Sequence, residues 1–427
     1  MKKIVLTLLI IGQVLMAAKI EYLDVKGVKV PLIYEQDSRL PIVTTQIVFT
    51  DSGSITDIKK AGVAKFASKI LNEGTKKLGS NAFAEALESR AIHISASCAT
   101  ETFVLELSSL ADEFDNGLKY FGDLLKDPNY SKESMEKVKT MTLGSISRKE
   151  DDFDYIASNE LRSILFAGSV LSKPSAGTLK SVQSISLNDV KSFLNEHLVL
   201  SRAIVLVGGD INIEDIKKKI TYLLKDLSVG TSTNVPHFLV VKEPKEVVLK
   251  RATKQAYIYF GSPYKMRVND DDYYKARVAT FILGTGGFGS RLMEEIRVKK
   301  GLAYSAYARV HVSKSSSYMS GYLQTKLDSM DEAKKSVVDV VHKFVKSGVT
   351  QEELEQTKKF LLGSEPLRVE TMSQRLNRTF MEYYKGFKLG HSVAELKKIK
   401  GLKLKDLNEF IKKHKEILDM SFAIVTK

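Results

Sequence analysis

Residues 187–197 read LNDVKSFLNEH, and residues 404–414 read LKDLNEFIKKH. Identical residues recur in the two stretches at one offset of 217 positions, namely Leu187 and Leu404, Asp189 and Asp406, Phe193 and Phe410, and His197 and His414. Both stretches have the apolar spacing of a helix, and an apolar run typical of a strand follows each of them. We infer that the chain contains an internal repeat, which predicts a duplicated fold.

The repeat extends upstream of these two segments. Ser131 and Thr350 each precede a long helical pattern with acids in its first turn, which is typical of a capped helix start. We therefore predict two homologous α/β domains, in which strands are grouped with helices instead of alternating strictly with them. This order favours an α+β fold of two mostly antiparallel mixed sheets, each covered by helices on one face.

Local patterns place the principal elements within this frame. We predict strands at residues 43–49, 95–108 (one strand or two), 255–261 and 321–326, and helices at residues 62–72, 113–125, 132–147, 271–283 and 330–346. Gly, Ser, Thr and Pro cluster before residue 245. The resulting organisation is a signal peptide (1–18), a first domain (19–230), a linker (231–244) and a second domain (245–427).

The N-terminus resembles an export signal. Lys2 and Lys3 precede an apolar run over residues 4–16, and Ala17 and Ala18 follow as small residues suited to cleavage. We expect a periplasmic or secreted protein without a membrane span after cleavage, because no later run reaches about 18 apolar residues. The alternative is a buried first strand.

Composition narrows the classes of function. The formal charge of +14 falls to +12 when Lys2 and Lys3 are removed, and the remaining lysines are scattered. This pattern favours solubility or an acidic partner and argues against nucleic-acid binding. Cys98 is the only cysteine, so an intrachain disulfide is excluded.

A second informative stretch is AGVAKFASKILNEGT at residues 61–75. It resembles the zinc helix of the pitrilysin peptidase family, which includes insulysin and the mitochondrial processing peptidase. In that family His-x-x-Glu-His supplies two zinc ligands and a general base, because positions i and i+4 share one face of the helix. The resemblance puts Lys65 and Lys69 at the histidine positions and Ser68 at the glutamate position.

The region expected to hold the family's third zinc ligand has no acid. It reads TLGSI at residues 142–146, which include Gly144 and Ser145, and no acid occurs between Glu136 and Glu150. A lysine is cationic at neutral pH and repels a divalent metal. We therefore expect no catalytic residue, no metal and no other cofactor in this chain.

The second half matches the same family more closely. Residues 283–305 read LGTGGFGSRLMEEIRVKKGLAYS, which resembles a segment of the family's small bacterial members. The candidate contacts with a substrate or partner are Gly286, Gly287, Gly289, Arg297 and Tyr304. The glycines fit either a tight turn between helices or contact with a peptide. Arg297 and Tyr304 fit either such a contact or a structural role, with Arg297 paired to a glutamate of its own helix and Tyr304 in the core.

The resemblance covers nearly the whole mature chain and implies two similar domains that face each other across a cavity as a clam-shell. Unfolded peptides bind there in the family by adding a strand to a sheet edge. In two-chain members one subunit carries zinc and the other has a degenerate helix. We therefore expect a non-catalytic subunit paired with a zinc-bearing chain, in which the zinc would reside, or with a second copy of itself.

Two other functions compete with this one. A stand-alone peptide-binding or scaffold protein of the periplasm would need no zinc-bearing partner. A peptidase with an unrelated mechanism would need Lys65 or Lys69 as a base with a lowered pKa. Ser68 and Lys69 do not form a pair suited to this chemistry, because neighbours on a helix do not face each other.

The signal peptide leads to the first testable prediction. The mature protein should begin near Lys19, since residues 1–18 carry the export pattern. Intact-mass measurement of the protein from its native source, together with cell fractionation, checks this. A chain that keeps Met1 in a soluble cytoplasmic fraction would show that residues 4–16 are a strand and not a signal.

Overall fold

The computed structural model describes residues 18–427. The proposed signal peptide lies outside this part of the chain, except for Ala18. Within residues 18–427, no helix has both the length and the apolar character needed to cross a membrane.

The first half is a six-stranded sheet with eight helices in the described part of the chain. Its strands are β1 (Lys19–Val25), β2 (Val28–Gln36), β3 (Ile42–Thr50), β4 (His93–Cys98), β5 (Thr102–Leu110) and β6 (Ala203–Gly209). Its helices are α1 (Val63–Leu71), α2 (Gly79–Glu88), α3 (Phe114–Lys126), α4 (Lys132–Arg148), α5 (Phe153–Leu165), α6 (Leu179–Gln183), α7 (Leu187–His197) and α8 (Ile213–Leu224). The strand order is β1-β2-β6-β3-β5-β4, and β2 with β6 is the parallel pair.

The second half is a five-stranded sheet with its own helices. Its strands are β7 (Glu246–Lys250), β8 (Gln255–Pro263), β9 (Ala306–Val312), β10 (Ser317–Lys326) and β11 (Ser421–Thr426). Its helices are α9 (Tyr273–Thr280), α10 (Met330–Ser347), α11 (Gln351–Gly363), α12 (Met372–Tyr384), α13 (His391–Gly401) and α14 (Leu404–Lys413), and π-helical turns occupy Phe281–Thr285 and Met293–Lys299.

The two sheets have the same topology. The order β7-β11-β8-β10-β9 reproduces β2-β6-β3-β5-β4, and β7 with β11 is again a parallel pair. Helix α7 before β6 corresponds to α14 before β11, which are the elements of the sequence repeat. The predicted fold class, two α/β halves with mostly antiparallel mixed sheets, is confirmed.

The predicted helix starts are capped as the sequence indicates. The Ser131 side chain accepts a hydrogen bond from the Ser134 backbone at the start of α4. The Thr350 side chain accepts one from the Glu353 backbone, and the Glu353 carboxylate accepts one from the Thr350 backbone nitrogen at the start of α11. These bonds satisfy N–H groups that have no partner within the helix.

The run predicted at residues 95–108 as one strand or two forms two strands, β4 and β5, joined by a tight turn, in agreement with the second alternative. One predicted helix differs from the structure. The predicted helix at residues 271–283 is α-helical only from Tyr273 to Thr280 and continues as the π-helical turn. A glycine within that turn, Gly284, lets the backbone approach β9, because a Cβ at this position would lie 2.3 Å from the Ala308 nitrogen.

The two halves exchange a helix. Alternate residues of each strand point to opposite faces of the sheet, so Val205 contacts the first half's own helices while Ile204 points the other way. That second face packs against α12 of the second half through Leu376 and Phe380. In return, α5 packs on β8 and β11 of the second sheet through a cluster that includes Leu161.

Polar contacts fix α12 on the first sheet. Arg375 donates from Nε to Glu35 Oε1 at 2.7 Å and from Nη2 to Asp37 Oδ2 at 3.2 Å. The Glu35 side chain is 2% exposed. Burial raises the pKa of Glu35 even with Arg375 beside it. This carboxylate therefore depends on one guanidinium for its charge.

Helix α5 has a matching polar contact with the second sheet. Asp154 accepts hydrogen bonds from the Tyr259 hydroxyl at 3.0 Å and from the Gln324 amide at 2.6 Å. Between the halves, Glu101 accepts from the Tyr384 hydroxyl at 2.7 Å and from the Ser315 backbone at 2.7 Å. Each exchanged helix thus combines an apolar face with a specific polar contact.

Removal of the Arg375 guanidinium should destabilise the protein. Arg375→Met should lower the free energy of unfolding by about 3 kcal/mol at pH 8, because it leaves Glu35 buried without a cation. The loss should be smaller at pH 5, since a carboxyl with a raised pKa is stable in its protonated form and becomes costly as pH rises through that pKa. Urea unfolding at the two pH values measures the difference.

The control is the half-exposed pair of Arg90 with Glu113, whose nitrogen and oxygen are 3.1 Å apart. Arg90→Met should cost less than about 1 kcal/mol at either pH. Glu35→Gln should also cost less than Arg375→Met, because Arg375 keeps Asp37. Equal losses for Arg375→Met and Arg90→Met would show that the buried pair does not hold α12.

Candidate functional site

Helix α1, the degenerate zinc helix, begins at a turn that requires glycine. Gly62 has φ +94°, and a Cβ there would lie 2.7 Å from the Ala176 carbonyl oxygen. The buried Asp57 accepts hydrogen bonds from the backbone nitrogens of Gly62 at 2.8 Å and Ala64 at 3.0 Å. Burial raises the pKa of Asp57 to about 7. The local frame that positions α1 is therefore intact.

The residues at the zinc-ligand positions make other contacts. Lys69 donates from Nζ to Thr142 Oγ1 on α4 at 2.8 Å. Ser68 is buried and donates its hydroxyl back to the Lys65 carbonyl at 2.9 Å. The fold thus brings α1 against the expected third-ligand region of α4. The residue that Lys69 hydrogen-bonds there is Thr142.

The electrostatics of this site oppose a cation. Burial, together with the charges of Lys65 and Lys149, lowers the pKa of Lys69. The next acid along the chain, Glu73, accepts from Ser80 and binds Lys137 at 2.7 Å. In residues 18–427 no three His, Cys, Asp or Glu side chains are grouped to hold a metal. These residues do not fit a zinc ion.

Asn72, which sequence reasoning missed, occupies the edge of the first sheet. Its Oδ1 accepts from the Ala96 nitrogen at 2.7 Å, and its Nδ2 donates to the Ala96 oxygen at 3.0 Å. Strand β4 is an edge strand, so these backbone groups would otherwise face an added strand. The Asn72 side chain takes the place of a peptide at this point, and no sequence motif signals it.

The glycine-rich segment in the second half is a tight turn. A Cβ at Gly286 would lie 2.8 Å from the Phe281 oxygen, and Gly287 has φ +61°. Both positions therefore favour glycine for conformational reasons. A Cβ at Gly289 would meet no atom within 4 Å, so its surface is open.

Arg297 and Tyr304 come together beside this turn. Arg297 Nη1 donates to the Tyr304 carbonyl oxygen at 2.7 Å, and its guanidinium carbon lies 4.5 Å from the centre of the Phe288 ring. Tyr304 is 85% exposed and Phe288 is 63% exposed. We call Phe288, Arg297 and Tyr304 the aromatic patch. Because Tyr304 is exposed, the alternative in which its ring packs in the core is excluded.

Among the described residues, Arg297 also does not form the alternative ion pair with a glutamate of its own helix. Glu295 lies 3.7 Å from the Lys299 nitrogen and 3.8 Å from the Lys300 nitrogen, and Glu294 lies 3.9 Å from Lys299. Arg297 instead supports the backbone from which the Tyr304 ring projects. Whether the patch contacts a peptide or a partner stays a prediction.

Two domain descriptions of one protein family match the chain. Residues 32–179 match insulinase (peptidase family M16), and residues 184–361 match the peptidase M16 inactive domain. The chain belongs to peptidase family M16. With its zinc positions occupied by Lys65, Ser68 and Lys69, it is an inactive member of that family.

Two relatives of this chain differ in the activity that their names give. It is 41% identical over 427 residues to the non-peptidase homolog YmxG of Helicobacter pylori. The alignment covers 100% of this chain and 99% of the relative. It is 23% identical over 323 residues to an uncharacterized zinc protease of Bacillus subtilis, over 74% of this chain and 76% of the relative.

Solved structures share the fold. The peptidase M16 inactive domain from Pseudomonas fluorescens superposes with a TM-score of 0.87 at 22% identity, over 96% of this chain and 98% of that one. A protease from Helicobacter pylori superposes with a TM-score of 0.82 at 17% identity, over 96% and 100%.

The contact of Lys69 with Thr142 predicts how a zinc site could be rebuilt. The triple variant Lys65→His, Ser68→Glu, Lys69→His should bind zinc weakly and should not hydrolyse peptides, because a third ligand is missing. Addition of Thr142→Glu should tighten zinc binding by roughly tenfold or more, since metal-site residues have effects of at least this size. Competition with a chromogenic chelator measures the affinity.

The matched control adds Ser145→Glu to the same triple variant. Ser145 is on the same helix but is not the residue that Lys69 contacts, so this glutamate should leave the zinc affinity unchanged. A larger gain from Ser145→Glu than from Thr142→Glu would place the third-ligand position at Ser145.

Proposed function

We propose that this chain is the non-catalytic subunit of a zinc peptidase that works in the periplasm or outside the cell. A separate M16 chain would carry the zinc. The present chain would supply part of the peptide-binding cavity and contacts from its second half. One observation carries this proposal. The lysines on α1 do not fit a zinc ion, whereas the aromatic patch beside the glycine turn is exposed and available for contact with another molecule.

The chemistry of the aromatic patch suits contact with a peptide near a reacting carbonyl. A tyrosine hydroxyl can donate a hydrogen bond to a developing oxyanion. The Tyr304 ring is free in the described chain to approach a second molecule, because Arg297 holds its backbone and not its hydroxyl. Phe288 adds apolar surface next to it. An exposed group of this kind has little use within the chain itself.

The first sheet is poorly suited to peptide binding at the centre of its edge. Peptides that add to a sheet bind through main-chain groups of the edge strand, and Asn72 already bonds those of Ala96. The equivalent position of the second sheet, Ala308, is approached by the Gly284 backbone, so the second half would meet the peptide through the aromatic patch and not through this point of its sheet edge. The zinc-bearing chain would then provide the first-half cavity and the reaction.

Chain length also supports a two-chain assembly. The periplasmic protease PqqL from Escherichia coli superposes with a TM-score of 0.75 at 15% identity, over 96% of this chain but only 47% of PqqL. One chain of that length therefore has room for two units of this fold. Two shorter chains could form an equivalent four-domain arrangement.

Isolation of the native complex tests the proposal directly. Affinity purification from the native source should recover an M16 chain that keeps His-x-x-Glu-His and about one zinc per complex, with activity lost on chelation. The purified single chain should neither bind zinc at α1 nor hydrolyse unfolded peptides. A stand-alone peptide-binding protein would instead purify without a zinc-bearing chain, and chelator-sensitive hydrolysis by the single chain would contradict the pseudo-peptidase assignment.

The aromatic patch should contribute to turnover of the complex. Tyr304→Phe removes only a hydroxyl, and it should lower kcat by roughly tenfold to a thousandfold if that hydroxyl stabilises an oxyanion. Arg297→Ala should give a loss of similar size, because it releases the backbone that positions Tyr304. Both variants should assemble and melt like the wild type.

Tyr222→Phe is the matched control for this test, because Tyr222 is 69% exposed and lies on α8 of the first half. It should leave kcat unchanged. Full activity of both patch variants would exclude a catalytic contribution from the patch. Loss of assembly or of melting temperature would assign Arg297 and Tyr304 a structural role.

A further inference from the structure

A cavity of about 370 Å³ lies in the second half, between α9, α12 and α13. It is separate from the lysines of α1 and from the aromatic patch. Its volume lies within the range of small-molecule sites. Its lining is unusually rich in charged side chains, and this composition indicates the kind of ligand that would fit.

Three guanidinium groups face this cavity, from Arg277, Arg368 and Arg378. Partial desolvation of the Arg368 guanidinium, together with the charges of Arg277 and Arg378, lowers the pKa of Arg368, and Glu365 opposes this shift. Lys385 adds a fourth cation, and burial lowers its pKa as well. Like charges gathered in a partly buried cavity destabilise the protein unless an anion offsets them.

The carboxylates in the cavity are largely engaged elsewhere. Glu382 accepts from the backbone nitrogens of Gly390 at 2.8 Å and Ser392 at 2.7 Å, so it caps the start of α13. Glu365 lies 2.6 Å from the Arg378 guanidinium. Glu365 is therefore paired with Arg378, and Glu382 is occupied at the start of α13. Only the third glutamate of the cavity remains.

The third acid offsets the remaining cations poorly. Glu395 Oε1 is buried, has no hydrogen-bond partner in the described chain and lies 4.0 Å from Arg277. Burial raises the pKa of Glu395, which favours its neutral form. Among residues 18–427, Arg368 and Lys385 make no ion pair, and Lys385 instead lies 5.2 Å from the centre of the Tyr273 ring.

We propose that this cavity binds a small polyanion that carries phosphate or carboxylate groups. Arg277 and Arg368 bind its oxygens through their planar forks of N–H donors, and Lys385 contributes a point charge. The exposed amide of Asn377 lies on the same wall. Such a ligand supplies the negative charge that the three glutamates leave unmet.

Calorimetric titration of the full mature chain tests this proposal, with inorganic pyrophosphate and citrate as probes at constant ionic strength. We expect saturable binding of at least one probe at a stoichiometry of one. Arg277→Gln and Arg368→Gln should each weaken it by about tenfold or more, as for the loss of one charged hydrogen bond. A preference for pyrophosphate or for citrate identifies the phosphate or the carboxylate class.

The matched control is Arg267→Gln, which removes an exposed cation of the same half that does not line the cavity. It should leave the affinity unchanged. Equal weakening by Arg267→Gln would reveal non-specific attraction to net charge and would overturn the proposal, as would the absence of saturable binding by either probe. If Arg277→Gln unfolds, Arg368→Gln still decides the outcome, because Arg368 is exposed and its replacement leaves the packing intact.

Discussion

The exchange of α5 and α12 between the halves is the constraint on which the rest of the structure depends. Each sheet has two apolar faces, but the helices of its own half cover only one of them. The strand residues Ile33 and Ile204 would be exposed on the other face of the first sheet if α12 did not cover them. Because each half covers part of the other, neither buries its sheet alone, and the relative position of the two halves follows from this packing.

The packing explains why α1 keeps its position in the first half although it has no zinc ligands. The buried positions of this helix, such as Ala64, Ala67 and Ile70, form part of the first-half core. Lys65 and Lys69 lie on its partly exposed side, where a change of charge does not disturb the core. Two of the three degenerate zinc-site positions therefore lie away from the core, whereas the third, Ser68, is buried as a small side chain.

The second half differs from the first in shape at the equivalent positions but not in the sign of the charge. Its counterpart of α1 is α9 with the π-helical turn, and Gly284 and Ala308 lie 212 residues after Asn72 and Ala96. In the first half an asparagine side chain reaches the edge strand, whereas in the second half the glycine backbone itself approaches it. Arg277 lies 212 residues after Lys65, so both halves present a cation at this position. The duplication has thus produced two different surfaces on one frame.

The sequence by itself determined the duplication, the fold class, most helix starts and the absence of zinc ligands. These features depend on periodicity, on capping residues such as Ser131 and Thr350, and on residue chemistry, all of which are local. Only the tertiary structure decided that Thr142 meets Lys69, that Asn72 occupies the β4 edge, that Arg297 holds the Tyr304 backbone and that α5 and α12 change places. Each of these contacts depends on how separate elements dock or on which rotamer a side chain adopts, and no local pattern in the chain encodes either.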